Sequence, residues 1–244
     1  LKMGESIMSL EQYPDVVMPE CPVEQVLKGQ KALVTGASSG IGRAVAVGLG
    51  KAGADVVVNY VRGEESANEV VAEINQCGSR SYAHQADVSS EIQVKDMFQK
   101  MFQEFGTIDI LVNNAGISQR SLCVDTDIAV YRRIMEVDVL GQIALTKAAL
   151  PVMLEQDSGQ IAITSSVAGK IGVPYRTGYC AAKHAVMGFY DSLRGEVAHR
   201  GIRVHTIVPG YIQTNISVHA LRGDGTTFNR VDKDIAGGMN VDRC

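Results

Sequence analysis

The chain has no tryptophan, and its five cysteines (Cys21, Cys77, Cys123, Cys180 and Cys244) form no CxxC pair. An odd, scattered set fits free thiols in a reducing cytoplasmic setting better than a disulfide framework or a thiolate metal cluster. Cys180, beside Tyr179, reads as a core residue of a helix, with a reactive thiol as the alternative. No window holds the roughly 18 apolar residues that a membrane span needs. No basic tract accompanies the formal net charge of −4, so no nucleic-acid partner is expected. His84, His184, His199, His205 and His219 show no ligand spacing, and no metal is implied. The N-terminal stretch, with Glu5, Glu11, Asp15 and Glu20, is too acidic for a secretory signal. With three prolines and no periodicity, residues 1–28 read as an arm before one domain, 29–244.

What is present is a succession of short apolar runs alternating with helix-length segments. Strands are expected at 31–35, 55–60, 81–85, 109–112, 160–164 and 203–208. Several are near-continuous runs of branched aliphatic residues, as in strands buried on both faces of a parallel sheet. Helices are expected at 40–52, 64–77 and 90–105. A chain of 244 residues, 45% hydrophobic, is long enough to close one such unit around a sizeable core. The pattern predicts an α/β fold, a doubly wound and mainly parallel sheet with helices on both sides.

Two local patterns carry chemistry. Tyr179 and Lys183 stand four residues apart, one helical turn, on one face. A free tyrosine is a poor base at neutral pH, and a nearby ammonium favours its phenolate and suits it to proton transfer at a carbonyl or alcohol oxygen. YxxxK arises by chance on any helix, but here Ser166 precedes it by thirteen residues and a glycine-rich loop follows the first strand. That loop is Gly36-Ala37-Ser38-Ser39-Gly40-Ile41-Gly42. Its glycines permit a tight turn and close approach of a pyrophosphate, and the helix opening at Gly40 offers free N–H groups and a positive dipole end. The spacing matches the generic dinucleotide fingerprint only loosely.

The second strand ends in Asn59-Tyr60-Val61-Arg62, without the acidic residue that would hold an NAD ribose. Arg62, assisted by Arg43, suits a 2′-phosphate, so NADP(H) is the preferred cofactor and NAD(H) the alternative. Asp87 and Val88 are placed to meet an adenine edge, although Asp87 or Ser89 equally suits an N-cap. Asn114, Ala115 and Gly116 follow the fourth strand, where small residues let backbone line a cleft.

TGASSGIG at 35–42, NNAG at 113–116, Ser166, YCAAK at 179–183 and Pro209-Gly210 together resemble the short-chain dehydrogenase/reductase family, in the family's order. The resemblance implies a single Rossmann-like domain that moves hydride between a nicotinamide and a carbonyl or alcohol carbon of a small molecule. It makes Tyr179 the general acid/base, and Lys183 the residue that holds the ribose and assists the tyrosine. Ser166, rather than Ser165, orients the substrate oxygen. Pro209, Gly210, Ile212 and Thr214 are implied in placing the nicotinamide carboxamide. Val173 and Tyr211 would line the substrate pocket.

Two departures stand out. Asp138 occupies the position where the family carries an asparagine, and its charge would pair with Lys183 and slow turnover. The sequence also stops where a last helix and seventh strand are expected, which predicts six strands and an exposed edge. Residues 26–116 resemble bacterial glucose 1-dehydrogenases, and 117–244 the retinoid- and steroid-type reductases called dehydrogenase/reductase member 7. A recombinant junction near 116–121 is one explanation. The resemblance implies a carbonyl reductase for lipophilic substrates of retinal, steroid or quinone type. A sugar dehydrogenase or a weakly active dinucleotide-binding protein are the alternatives. Family members assemble as homodimers or homotetramers through helices expected here near 127–154 and 179–200.

Overall fold

The computed structural model of the chain describes residues 25–241. Most of the expected arm, together with Cys21 and Cys244, lies outside the described residues. Its last part forms a turn in which the Leu27 N–H donates to Ala52 O at 2.8 Å.

Six parallel strands make one sheet: β1 (Lys31–Val34), β2 (Asp55–Tyr60), β3 (Ser81–Gln85), β4 (Ile110–Asn113), β5 (Gly159–Thr164) and β6 (Ile202–Ile207). Their order is β3-β2-β1-β4-β5-β6, with Leu33 in register with Val57 on one side and Leu111 on the other. Successive strands are added in one direction from β1 to β3 and in the other from β4 to β6, so the crevice at the carboxyl ends of β1 and β4 is the topological switch point where such sheets take ligands.

Side-chain alternation divides the core in two. Ala32, Val34, Val56 and Val58 pack under α1 (Gly40–Lys51) and α2 (Glu64–Gln76). Leu33, Val57, Leu111, Ile161 and Ile163 pack on the other face with α3 (Glu91–Phe105), α4 (Ile128–Met135), α5 (Gln142–Glu155) and α6 (Thr177–Val197). The strand centres are therefore sealed on both sides, which explains the unbroken aliphatic runs. Expected bounds of the six strands and of the first three helices agree to within one residue, while α6 begins two residues before the expected 179 and ends three before 200. The N-cap of α3 differs: it is Ser90, whose Oγ accepts from the Gln93 N–H, rather than Asp87 or Ser89.

Between α4 and α5 the helix widens into a π-turn, Glu136–Gly141. By length and composition the continuous run Ile128–Glu155 could cross a membrane, but half of its most apolar window is buried inside the molecule, as in a core helix. β6 pairs only with β5 among the described residues, so its other side is a sheet edge. Arg194 of α6 partly covers that edge, donating to Val204 O at 2.9 Å and Thr206 Oγ1 at 3.2 Å.

Candidate active site

The glycine loop leaves β1 and returns as α1 within five residues, a path that needs left-handed backbone at Gly36 (φ 62°) and Gly40 (φ 57°). A Cβ on Gly36 would stand 3.1 Å from Ala115 Cα, and one on Gly42 would collide with Gly36 O and the Asn114 amide. The loop thus packs backbone against backbone. Ser39 precedes α1 in extended conformation without a side-chain cap, leaving the first-turn N–H groups available to an anion. These features fit a dinucleotide pyrophosphate, with Gly36, Ser38, Ser39, Gly40, Ile41 and Gly42 forming the cradle.

Two side chains lock the cradle to the sheet. Thr35 Oγ1 donates to Val112 O and accepts from the N–H groups of Asn114 and Ala115, both at 3.0 Å. Asn114 Nδ2 returns to Thr35 O at 3.0 Å. NNAG therefore faces the glycine loop as one bonded unit. Gly116 ends it where a Cβ would stand 2.9 Å from Asp138 Oδ2 and 3.3 Å from Lys183 Nζ.

At the other side of the crevice, Ser165 and Ser166 follow β5. Ser165 is buried and its hydroxyl turns inward to Lys183 O, 3.4 Å. Ser166 is half-buried and starts the 3-10 turn Val167–Gly169, its Oγ accepting from Ala168 N–H at 3.1 Å. That turn packs on α6, where Ala168, Tyr179 and Cys180 form a small cluster with Val173 and Ile216. Tyr179 is 7% exposed and Lys183 3%. The Lys183 ammonium lies 5.5 Å from the Tyr179 ring centre and donates to Thr164 O at 3.2 Å.

The π-turn turns Asp138 inward, where it is fully buried. Its Oδ1 accepts from Ile117 N–H at 2.8 Å, and Oδ2 stands 3.2 Å from Lys183 Nζ. Burial disfavours the Lys183 ammonium, but the facing carboxylate outweighs it and holds the amine above its ordinary range. Burial pushes the Asp138 carboxyl up, partly offset by Lys183 and the Ile117 amide. Lys183 thus keeps its proton at neutral pH, facing the Asp138 carboxyl.

The sequence pattern described as short chain dehydrogenase matches residues 30–224. The chain belongs to the short-chain dehydrogenase family. It is 39% identical over 218 residues to dehydrogenase/reductase SDR family member 7B of Mus musculus, an alignment covering 88% of this chain and 68% of that protein. It is 40% identical over 223 residues to dehydrogenase/reductase SDR family member 7 of Homo sapiens, covering 86% and 63%. The chain thus spans about two thirds of the length of these relatives. One kind of relative aligns on both sides of residues 116–121, the junction at which the sequence suggested two sources. Among solved structures, levodione reductase superposes with a TM-score of 0.74 at 32% identity, covering 78% of this chain and 74% of that one. A short-chain type dehydrogenase/reductase from Mycobacterium marinum gives 0.72 at 36% identity, covering 76% of each.

The remaining expected residues of this short-chain dehydrogenase stand in varied surroundings. Asn59 is fully buried and supports the loop. Its Oδ1 accepts from Gly36 N–H at 3.3 Å, while Nδ2 donates to Ala86 O at 3.0 Å and His84 O at 3.3 Å. Tyr60 points into the α1/α2 core and Val88 into the opposite one. Asp87 is held by Ser89 and by Arg133 at 2.8 Å. Arg43 is paired with Glu69 and Glu73, whereas Arg62 is exposed just past β2, two and three residues before Glu64 and Glu65. Pro209 accepts from Val167 N–H at 3.1 Å and thereby ties its segment to the Ser166 turn. Ile212 is buried and bridges to Met239, while Tyr211 is 55% exposed. Thr214 reaches Gly40, standing 3.2 Å from where its Cβ would be. Thr35 and Arg133 were not singled out from sequence. Thr35 was findable, as the polar residue that closes an apolar strand directly before the glycine loop.

Proposed function

We propose that the chain is an NADP(H)-dependent oxidoreductase that interconverts a carbonyl and an alcohol on a small lipophilic substrate, with Tyr179 as general acid/base. The observation that carries this reading is Tyr179 standing over the buried, charged Lys183, beside the turn that begins at Ser166. A nicotinamide held by the glycine cradle would supply the hydride in reduction and accept it in oxidation. In reduction the Tyr179 hydroxyl gives its proton to the substrate oxygen as negative charge builds there, and the phenolate left behind faces the Lys183 ammonium. The Ser166 hydroxyl donates to the same oxygen and fixes its direction. In oxidation the proton returns along the same path. Half-buried Val173 and Ile216 give the site an apolar wall suited to retinal-, steroid- or quinone-like substrates, and the likeness to dehydrogenase/reductase SDR family member 7B and to levodione reductase supports the redox assignment. A cytoplasmic location belongs to the same reading.

On this reading exposed Arg62, just past β2, pairs with a 2′-phosphate. Following NADPH and NADH emission as the tryptophan-free chain is added tests this directly. NADPH should bind about tenfold tighter, the value of one extra charge-assisted pair, and Arg62→Ala should erase the difference. Equal affinities in the unaltered chain would remove the NADP assignment. A second reading, weak turnover by a dinucleotide-binding protein, is favoured by the Asp138 contact with Lys183.

A further inference from the structure

Arg176 forms the N-cap of α6, three residues before Tyr179, and its carbonyl accepts from Cys180 N–H at 2.8 Å. Its guanidinium is buried, donating to Ser118 Oγ at 2.9 Å and to Asp232 Oδ2 at 3.1 Å. The same Asp232 oxygen pairs with Arg120. Arg120 in turn lies 5.9 Å and 5.6 Å from the ring centres of Tyr175 and Phe228. Tyr175 takes a left-handed φ of 65°, unfavourable for a tyrosine, so the backbone entering α6 is held against its own preference.

Asp232 also organises the segment that follows β6. Its Oδ1 accepts from Asp234 N–H and caps the short helix α7 (Lys233–Ala236), and its N–H donates to the fully buried Ser217 at 3.1 Å. Met239 and Tyr211 are joined by an N–H to carbonyl bond of 2.9 Å, closing residues 211–239 into a loop. This loop touches both ends of the site, Thr214 at the glycine cradle and Ile216 in the Tyr179 cluster.

We propose that Asp232 is a positioning residue: it latches the loop 211–239 to Arg176, so that the cover of the substrate cleft and the helix start carrying Tyr179 keep one register. A buried carboxylate between two guanidiniums suits this, since losing it leaves two positive charges without a counter-ion and lets both segments separate. Only the kinetic part rests on the oxidoreductase reading.

The test compares the full chain with Asp232→Asn, Asp232→Glu and the pair Asp232→Asn with Arg176→Met, the last removing the carboxylate and one guanidinium together if the single variant fails to fold. Amide hydrogen exchange is followed at 177–183 and 211–220, and NADPH oxidation with an apolar aldehyde or ketone gives kcat and KM. Asp232→Asn should accelerate exchange in both segments and lower kcat about 10- to 100-fold, the cost of misplacing a reacting group by an ångström. KM should change less, and Asp232→Glu should recover part of kcat. The double variant should show the same paired loosening. Faster exchange confined to 211–220, with kcat intact, would overturn the proposal, because Asp232 would then serve its own loop alone. If the unaltered chain turns over no carbonyl with either nucleotide, the oxidoreductase reading fails, and the exchange result still decides the latch.

Discussion

At the scale of single residues, the contact between Asp138 and Lys183 sets how strongly the lysine's charge reaches Tyr179. Both side chains are sealed from solvent and their polar atoms are 3.2 Å apart, so the carboxylate cancels part of the field that would favour a phenolate. Asp138→Asn removes the charge while keeping the size and an acceptor for Ile117 N–H. The expected result is a kcat raised about tenfold, equivalent to one pK unit of interaction, with the pH limb of turnover moved to lower pH. A pH-rate profile of both proteins checks it, and an unchanged kcat and limb would show that Asp138 is only structural. Tyr179, Lys183 and the glycines were legible because local spacing encodes them. The bonds of Asn59 were not legible for the opposite reason: its position at a strand end says nothing about which face its amide takes. In the fold that face is inward, toward Gly36.

At the scale of elements, three strands of the sheet share one carboxylate. Asp55 opens β2, pairs with Lys31 at the start of β1 at 2.7 Å, and meets Arg80 just before β3 at 3.0 Å. Burial pushes this carboxyl up, but its bonds to Lys31 and Arg80 outweigh that and hold it below the usual carboxylate range. A depressed folded-state value means the stabilisation is complete above the unfolded value of 3.8 and is lost as pH falls through the folded one. Asp55→Asn should therefore cost about 1.5–3 kcal/mol at pH 7, the range for hydrogen bonds to charged groups. Urea unfolding near pH 3 should show a smaller difference, and an equal difference at both pH values would contradict the ion-pair account. The strands and first three helices were readable from periodicity, since each buries its own regular face. The π-turn was not, because Asp138 within it answers to Ile117 after β4 and Lys183 on α6, both distant in sequence, rather than to a local pattern.

At the scale of the whole molecule, the fold was legible as a six-stranded doubly wound sheet, while the links that complete the site were not. Arg176 and Asp232 are 56 residues apart, and nothing in either neighbourhood marks them as partners until the chain is folded. The outer side of the helical run at 128–155 exposes Ile128, Met135 and Leu140, an apolar set on the helices expected to form a homodimer. Light scattering at micromolar concentration should give twice the chain mass of 26.2 kDa, or four times it for a tetramer, and a monomer would refute that assembly.

The central claim is that Tyr179 moves the proton. The most direct measurement is Tyr179→Phe, assayed for NADPH oxidation with an apolar carbonyl and, in parallel, for NADPH binding by emission. Loss of the hydroxyl should lower turnover by at least about 100-fold, as removing a general acid does, while the nucleotide affinity stays within about twofold of the unaltered chain. Turnover that survives the substitution would contradict the account.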